Sequence, residues 1–289
     1  MLSERNKGVL YVILAAFFFS LMTLFLKLAG DLPSFEKSFF RNFVAIFFAA
    51  GVLIRNRIPF SWGSPANLKY LIARSIGGTI GIFCNFYAVD HLVLSDANML
   101  NKLSPFFAVI FSYFLLKEKI RPYQFFCLLL AFVGALLIIK PGFESFTSFA
   151  ALIGAIGGMG AGFAYTCVRL ASFHGVKGPV IVLFFSLFSC IASIPLMLPV
   201  FKAPSATQLA FLFLTGLAAA GGQFSITAAY SHAPAREISI YDYSQIIFAA
   251  LLGLLFFGEI PDALSAVGYV TILAASFIMF EVQKNSKTA

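Results

Sequence analysis

Apolar runs of about twenty residues recur along this chain, separated by short charged or proline-containing breaks. That length matches the ~20 residues a helix needs to cross a ~30 Å hydrocarbon core. In lipid every backbone polar group must be satisfied within the protein, which favours helices. Composition agrees: 60% of the 289 residues are hydrophobic and 11% charged, against roughly a quarter charged in soluble domains. None of the intervening segments is long enough to fold as a separate soluble domain. The first run, Gly8 to Gly30, follows a basic start but is too long for a signal-peptide core, so it is expected to stay as the first span.

Breaking the chain at charge and proline clusters predicts ten spans, at 8–30, 35–54, 68–89, 93–116, 122–139, 149–170, 178–200, 207–229, 237–257 and 263–281. An even number places both termini on one side. Of the twenty Lys and Arg, fourteen fall on the N-terminal side, three (Lys37, Lys140, Lys202) on the other, and Lys27, Arg41 and Lys102 lie within spans. Short basic loops resist translocation, so both termini are expected in the cytoplasm of a bacterial-type plasma (inner) membrane. The net charge of +8 belongs to this asymmetry and implies no nucleic-acid partner.

Shifting the chain against itself by 141 residues aligns 68–140 with 209–281 without a gap. Gly81 meets Gly222, His91 meets His232, Ala108 meets Ala249 and Glu118 meets Glu259. Near the start the shift is 142, pairing Lys27-Leu28-Ala29 with Arg169-Leu170-Ala171. Each copy holds five spans, an odd number, so the second enters the membrane inverted. The expected domains are 1–140, 148–281 and a short cytoplasmic tail at 282–289. The basic turn Lys117-Glu118-Lys119 and its copy Gly258-Glu259-Ile260 carry opposite charge characters, as opposite sides require. Inverted repeats suit carriers that alternate access about a central site.

These residues resemble a known family. Asn101-Lys-Leu-Ser-Pro105 followed by Leu115-Leu-Lys-Glu118, and Tyr243-Ser-Gln-Ile246 followed by Phe256-Phe-Gly-Glu259, are similar to the paired EamA domains of the drug/metabolite transporter superfamily. So is Phe39-Phe40-Arg41 opening the second span; with Ser34-Phe35-Glu36 before it, it resembles the branch that carries S-adenosylmethionine. The resemblance implies ten helices in two inverted five-helix repeats, an all-α integral membrane fold with spans five and ten at the periphery of a central cavity. The chain departs from the family at Lys117, where glycine is usual, and at Ile246, the counterpart of Pro105. Lacking that proline, span nine is expected to run straighter than span four.

Charges and amides within the hydrocarbon are costly and tend to face a cavity or a partner. Asn98, Asn101, Lys102 and Pro105 share one helical face. The repeat shift sets Ser239, Asp242, Tyr243 and Ile246 on the corresponding face of span nine. Lys102 and Asp242 are expected to meet, either as a structural ion pair or in a substrate or proton role, with Asp242 the proton-coupling candidate. Asn85, Tyr87, Tyr165 and Gln223 are candidate substrate contacts or interhelical hydrogen bonds. Arg41 is a guard of the outer mouth or a snorkelling side chain. Lys27 and Arg74, near span ends, are read as snorkelling. Gly154, Gly158 and Gly162 on span six, and Gly77 and Gly81 on span three, are read as close helix packing. The four cysteines and three scattered histidines suggest core packing and interfaces, with no metal site and no cofactor.

The reading is a secondary transporter of a small polar or amphipathic metabolite, working by alternating access without ATP, since no GxxxxGK[ST] motif is present. Its partners are the substrate, the bilayer, a coupling proton, and a second copy through the peripheral spans as a homodimer. The alternatives are a membrane enzyme acting at the bilayer surface, for which no acid, base or metal cluster is found, and a non-transporting partner subunit.

Overall fold

A computed structural model describes residues 3–92, 94–140, 149–258 and 260–285. Glu259, the first residue of the expected second domain at 148, and the end of the expected tail lie outside the described residues. The helices are α1 (Glu4–Leu28), α2 (Ser34–Arg55), α3 (Leu68–His91), α4 (Leu94–Asn101), α5 (Ser104–Leu116), α6 (Pro122–Ile139), α7 (Phe149–Phe173), α8 (Gly178–Met197), α9 (Ala206–His232), α10 (Ala235–Ile238), α11 (Ser244–Phe257) and α12 (Ala263–Asn285), with a tighter 3-10 segment, Ser239–Tyr243, between α10 and α11. Among the described residues nine helical stretches are long and apolar enough to cross a membrane, including Asn98–Leu116 through α4 and α5 and Ala235–Phe257 through α10 and α11. The 24-residue α3 is of comparable length but is not one of the nine. The chain is a multi-pass, all-helical membrane protein whose large exposed side chains, such as Phe47, Leu255 and Phe277, suit contact with lipid.

Local chemistry sets the helix ends. Ser205 and Gln208 cap α9 reciprocally, each side chain accepting from the other's backbone N–H. After α5 the chain turns through Lys117 at φ 55°, and after α11 through Gly258 at φ 69°. These positions are equivalent under the 141-residue shift. A left-handed backbone favours glycine, which is why the family resemblance leads one to expect glycine at 117; lysine there costs roughly 1–2 kcal/mol.

Helix pairing follows the same shift. The α1 contact with α9 becomes the α7 contact with α3, and the α5 contact with α7 becomes that of α11 with α1. The α2–α8 and α6–α12 pairs map onto themselves. Close approach depends on glycine where α3 crosses α7: a Cβ on Gly160 would lie 2.7 Å from the carbonyl oxygen of Gly77. Gly154, Gly158 and Gly162 instead face Leu100, Asn101 and Ala108 on α4 and α5.

Span nine is not straighter than span four. Span four breaks at Lys102 and Leu103, before Pro105, which lacks the N–H to continue the ladder. Span nine breaks without a proline, at the Ser239–Tyr243 3-10 segment. The two breaks cross and satisfy each other: Lys102 Nζ donates to the Asp242 carbonyl at 3.3 Å, and Tyr243 Oη donates to the Lys102 carbonyl at 3.0 Å. Polar side chains that take up freed carbonyls permit irregular backbone at membrane depth.

Candidate functional site

Lys102 and Asp242 meet at these breaks. Lys102 Nζ lies 3.1 Å from Asp242 Oδ2, and both side chains are buried. The ammonium also donates to Gln245 Oε1 at 2.6 Å, a residue that sequence reasoning left out of the site. Gln245 stands three residues beyond Asp242, so helical spacing was the signal that would have found it. Tyr243 and Lys102 are themselves repeat-equivalent, and each sends its side chain to the other half's broken backbone.

Beside this pair lies a cavity of about 140 Å³ that includes Arg41, Arg74, Asn85, Asn101, Tyr165, Gln223 and Asp242 in its wall. An adjoining chamber of about 420 Å³ shares Asn85, Asn101 and Gln245, adds Asn98 and Lys102, and reaches the exposed Ile260 and Pro261 at the turn between α11 and α12. On the opposite face, near the α5–α6 turn, Arg169 Nε pairs with Glu118 Oε1 at 2.7 Å and Arg169 also donates to the Tyr230 carbonyl. Arg236 donates there to the Lys119 carbonyl at 2.7 Å. In the sequence Glu118 and Arg169 stand out only as positions matched by the internal repeat. Their meeting joins the α5–α6 turn to the far end of α7, a pairing that local sequence does not signal.

Of the expected site residues, Asn85, Asn98, Asn101, Lys102, Asp242, Tyr165, Gln223 and Arg41 line the two cavities. Ser239, Tyr243 and Tyr87 do not. The Ser239 hydroxyl pairs with Tyr230 Oη at 3.1 Å, because the 3-10 winding takes Ser239 off the face an α-helix would have given it. Tyr243 is fully buried, with its hydroxyl on the backbone of Lys102. Tyr87 stacks on His91 at a ring separation of 4.0 Å, at the end of α3.

Arg74 does not snorkel. It is 2% exposed, its Nη2 donates to Gln223 Oε1 at 2.9 Å, and its guanidinium lies 3.7 Å from the Phe185 ring centre. Gly78, one turn on, makes room for it: a Cβ there would collide with Arg74 Nη1. Arg41 is likewise buried, with Nε unpartnered. Its neighbour Asn42 fixes α2 on α8 by donating to Ser189 Oγ at 3.1 Å. Lys27, the other charge read as snorkelling, sets its ammonium 3.9 Å from the Phe257 ring centre. All four cysteines are free thiols, Cys84 half-buried and the others buried, as core packing implies. Among the described residues no cluster of three or more metal-ligating side chains exists.

Apolar helices long enough to cross a membrane around a polar cavity are an architecture suited to membrane transport, and several relatives of this chain are named as transporters. A pseudopaline exporter, CntI, of Pseudomonas aeruginosa is 33% identical over 290 residues, covering 98% of this chain and 99% of that protein. Human solute carrier family 35 member G1 is 26% identical, covering 93% of this chain and 77% of that protein. A solved crystal structure of a protein with 16% sequence identity superposes with a TM-score of 0.84 over 96% of this chain and 98% of its own, a likeness of fold. The model of the EamA-like transporter family matches residues 6–140. This chain belongs to that family and is a membrane transporter of a small metabolite, not an enzyme.

Proposed function

We propose that the transporter works by alternating access through the cavity beside Lys102 and Asp242, as a secondary carrier of ten spans in two inverted halves, 1–140 and 148–281. The observation that carries this is the crossing of two broken spans at repeat-equivalent positions, each half's side chain bonded to the other's backbone. Such paired discontinuous helices are where carriers place their substrate. Helix pairing that survives exchange of the halves supports the reading. So does the outer chamber, which reaches the surface on one face while the Glu118–Arg169 pair occupies the other.

In this account both termini are cytoplasmic in the bacterial inner membrane, and the chamber faces outward. Asn85, Asn98, Asn101, Tyr165, Gln223 and Arg41 contact substrate. Lys102 and Asp242 act as the central switch, with Asp242 the acceptor for a coupling proton that competes with Lys102 for its carboxylate. The bacterial relative named as an exporter favours outward movement. Spans α6 and α12, which pack on one another through Gly134 and Gly268, leave outer faces carrying Phe126 and Phe277 for a second copy in the bilayer.

Topology is tested by single cysteines placed at Arg121 and Asp262 in a chain whose native cysteines are replaced. An impermeant thiol reagent should reach Asp262→Cys from outside whole cells and Arg121→Cys only after the membrane is opened. Labelling of both from outside would remove the inverted arrangement and, with it, the two-sided mechanism.

A further inference from the structure

The cavity wall carries two guanidinium groups for which no described residue supplies a paired counter-charge. Among the described residues neither Arg41 nor Arg74 pairs with a carboxylate. Asp242 is the acidic residue in the wall, and Lys102 already engages it. Two positive charges are therefore left uncompensated.

Much of their hydrogen-bonding capacity is also unused among the described residues. A guanidinium offers five N–H donors. Arg74 makes one hydrogen bond, to Gln223, and its Nε has no partner; Arg41 Nε is buried without one as well. Burying one such charge costs several kcal/mol unless it is paired and hydrogen-bonded. Arg74 is moreover held in place, by the Phe185 ring on one side and by the space left at Gly78. Snorkelling would have taken these charges to water, yet they are 6% and 2% exposed.

We infer that Arg41 and Arg74 form an oxyanion clamp, and that the transported metabolite is a dianion, bearing two carboxylates or one phosphate. Planar guanidinium forks match the oxygen pairs of either group. The acceptor that satisfies the buried N–H groups is then supplied by the cargo, and the site becomes charge-balanced only when loaded. Asn85, whose Oδ1 is buried without a partner in the same wall, provides an amide for the rest of the molecule. This inference rests on the reading above that the cavity is the transport site. It departs from the resemblance to the S-adenosylmethionine branch, since that sulfonium metabolite carries a net positive charge.

Ligand-dependent thermal stability of the full chain in detergent at pH 7 and fixed ionic strength tests the clamp, because a ligand bound to the native state raises its stability. The probes are succinate, inorganic phosphate, dimethyl succinate, 1,4-diaminobutane and S-adenosylmethionine. Succinate or phosphate should stabilise the wild type, and whichever does so tells the carboxylate from the phosphate source; the ester, diamine and sulfonium should not. Arg41→Gln and Arg74→Gln should each weaken the effective anion about ten- to hundredfold, with Arg41→Lys and Arg74→Lys retaining part of it. Stabilisation by S-adenosylmethionine or the diamine, by no anion at all, or by an anion equally in the glutamine variants would overturn the clamp. If a glutamine variant does not fold, the charge series on the wild type decides alone. Anion binding without two-sided access would remove only the alternating-access reading, and two-sided access with cation selectivity only the clamp.

Discussion

Replacing Lys102 by methionine removes the one side-chain donor that, among the described residues, reaches the Asp242 carboxylate. That carboxylate is 8% exposed, so its charge would be stranded, at a cost of ~3–5 kcal/mol for a broken buried pair. The reverse substitution is milder. In Asp242→Asn the ammonium keeps Gln245 Oε1 at 2.6 Å, the residue 242 carbonyl at 3.3 Å and the new amide oxygen. Its loss reduces to the difference between a charged and a neutral acceptor, roughly 1–3 kcal/mol. The double variant Lys102→Met, Asp242→Asn strands no charge and should recover part of what Lys102→Met loses. Denaturant unfolding in mixed micelles, followed by tryptophan emission from Trp62, measures all three. Equal losses in the two single variants, or no recovery in the double, would refute the hydrogen-bond bookkeeping on which this ordering rests. Reconstituted in liposomes, both single variants should also lose transport, because the account makes the pair part of the moving centre.

Gly160→Ala puts a Cβ 2.7 Å from a backbone oxygen of α3, so it should destabilise by ~1–3 kcal/mol in the same unfolding assay; a neutral result would mean that α3 and α7 are not so close. Glu118→Ala strands Arg169 and should cost ~3–5 kcal/mol, while the swapped pair Glu118→Arg, Arg169→Glu restores part of it; no restoration would argue against a direct pair. Lys117→Gly relieves a left-handed lysine and should raise the unfolding midpoint by the equivalent of about 1 kcal/mol, an expectation that a lower midpoint would contradict. The Asp262 carboxyl is held at about 2 against an ordinary 3.8, chiefly by a hydrogen bond from Lys140. A depressed value means that the pair's contribution is present above pH 3.8 and fades as pH falls towards 2. Carboxyl titration by NMR should therefore move Asp262 back towards its ordinary range in Lys140→Ala, with the hydrogen bond from the Ser265 N–H keeping part of the depression, and an unchanged value would exclude Lys140 as the main cause.

The span boundaries were legible because hydrophobic run length is a property of sequence alone: 122–139 coincides with α6, and the start of α7 at Phe149 falls where the run begins. The meeting of Lys102 and Asp242 was legible too, since repeat register carries three-dimensional information when two halves face each other. What escaped was decided by tertiary contact. The Ser239–Tyr243 break has no proline to announce it and exists because side chains from the other half accept its cost. Ser239 and Tyr243 were misplaced for that reason. Arg74 looked like a snorkelling charge because its distance from the span end is visible in sequence, whereas Gln223, Phe185 and the space at Gly78 are not. Glu118 and Arg169, 51 residues apart, carried no local signal of their pairing.

Alternating access requires that one cavity be reached in turn from both sides of the membrane. A cysteine at Asn101, which lines both cavities, in a chain otherwise free of cysteine, measures this directly in sealed vesicles of known orientation. An impermeant thiol reagent should modify Asn101→Cys when added to the outside and, separately, when confined to the inside. Modification from one side only, whichever side that is, over a period long enough to label every exposed control cysteine, would contradict it.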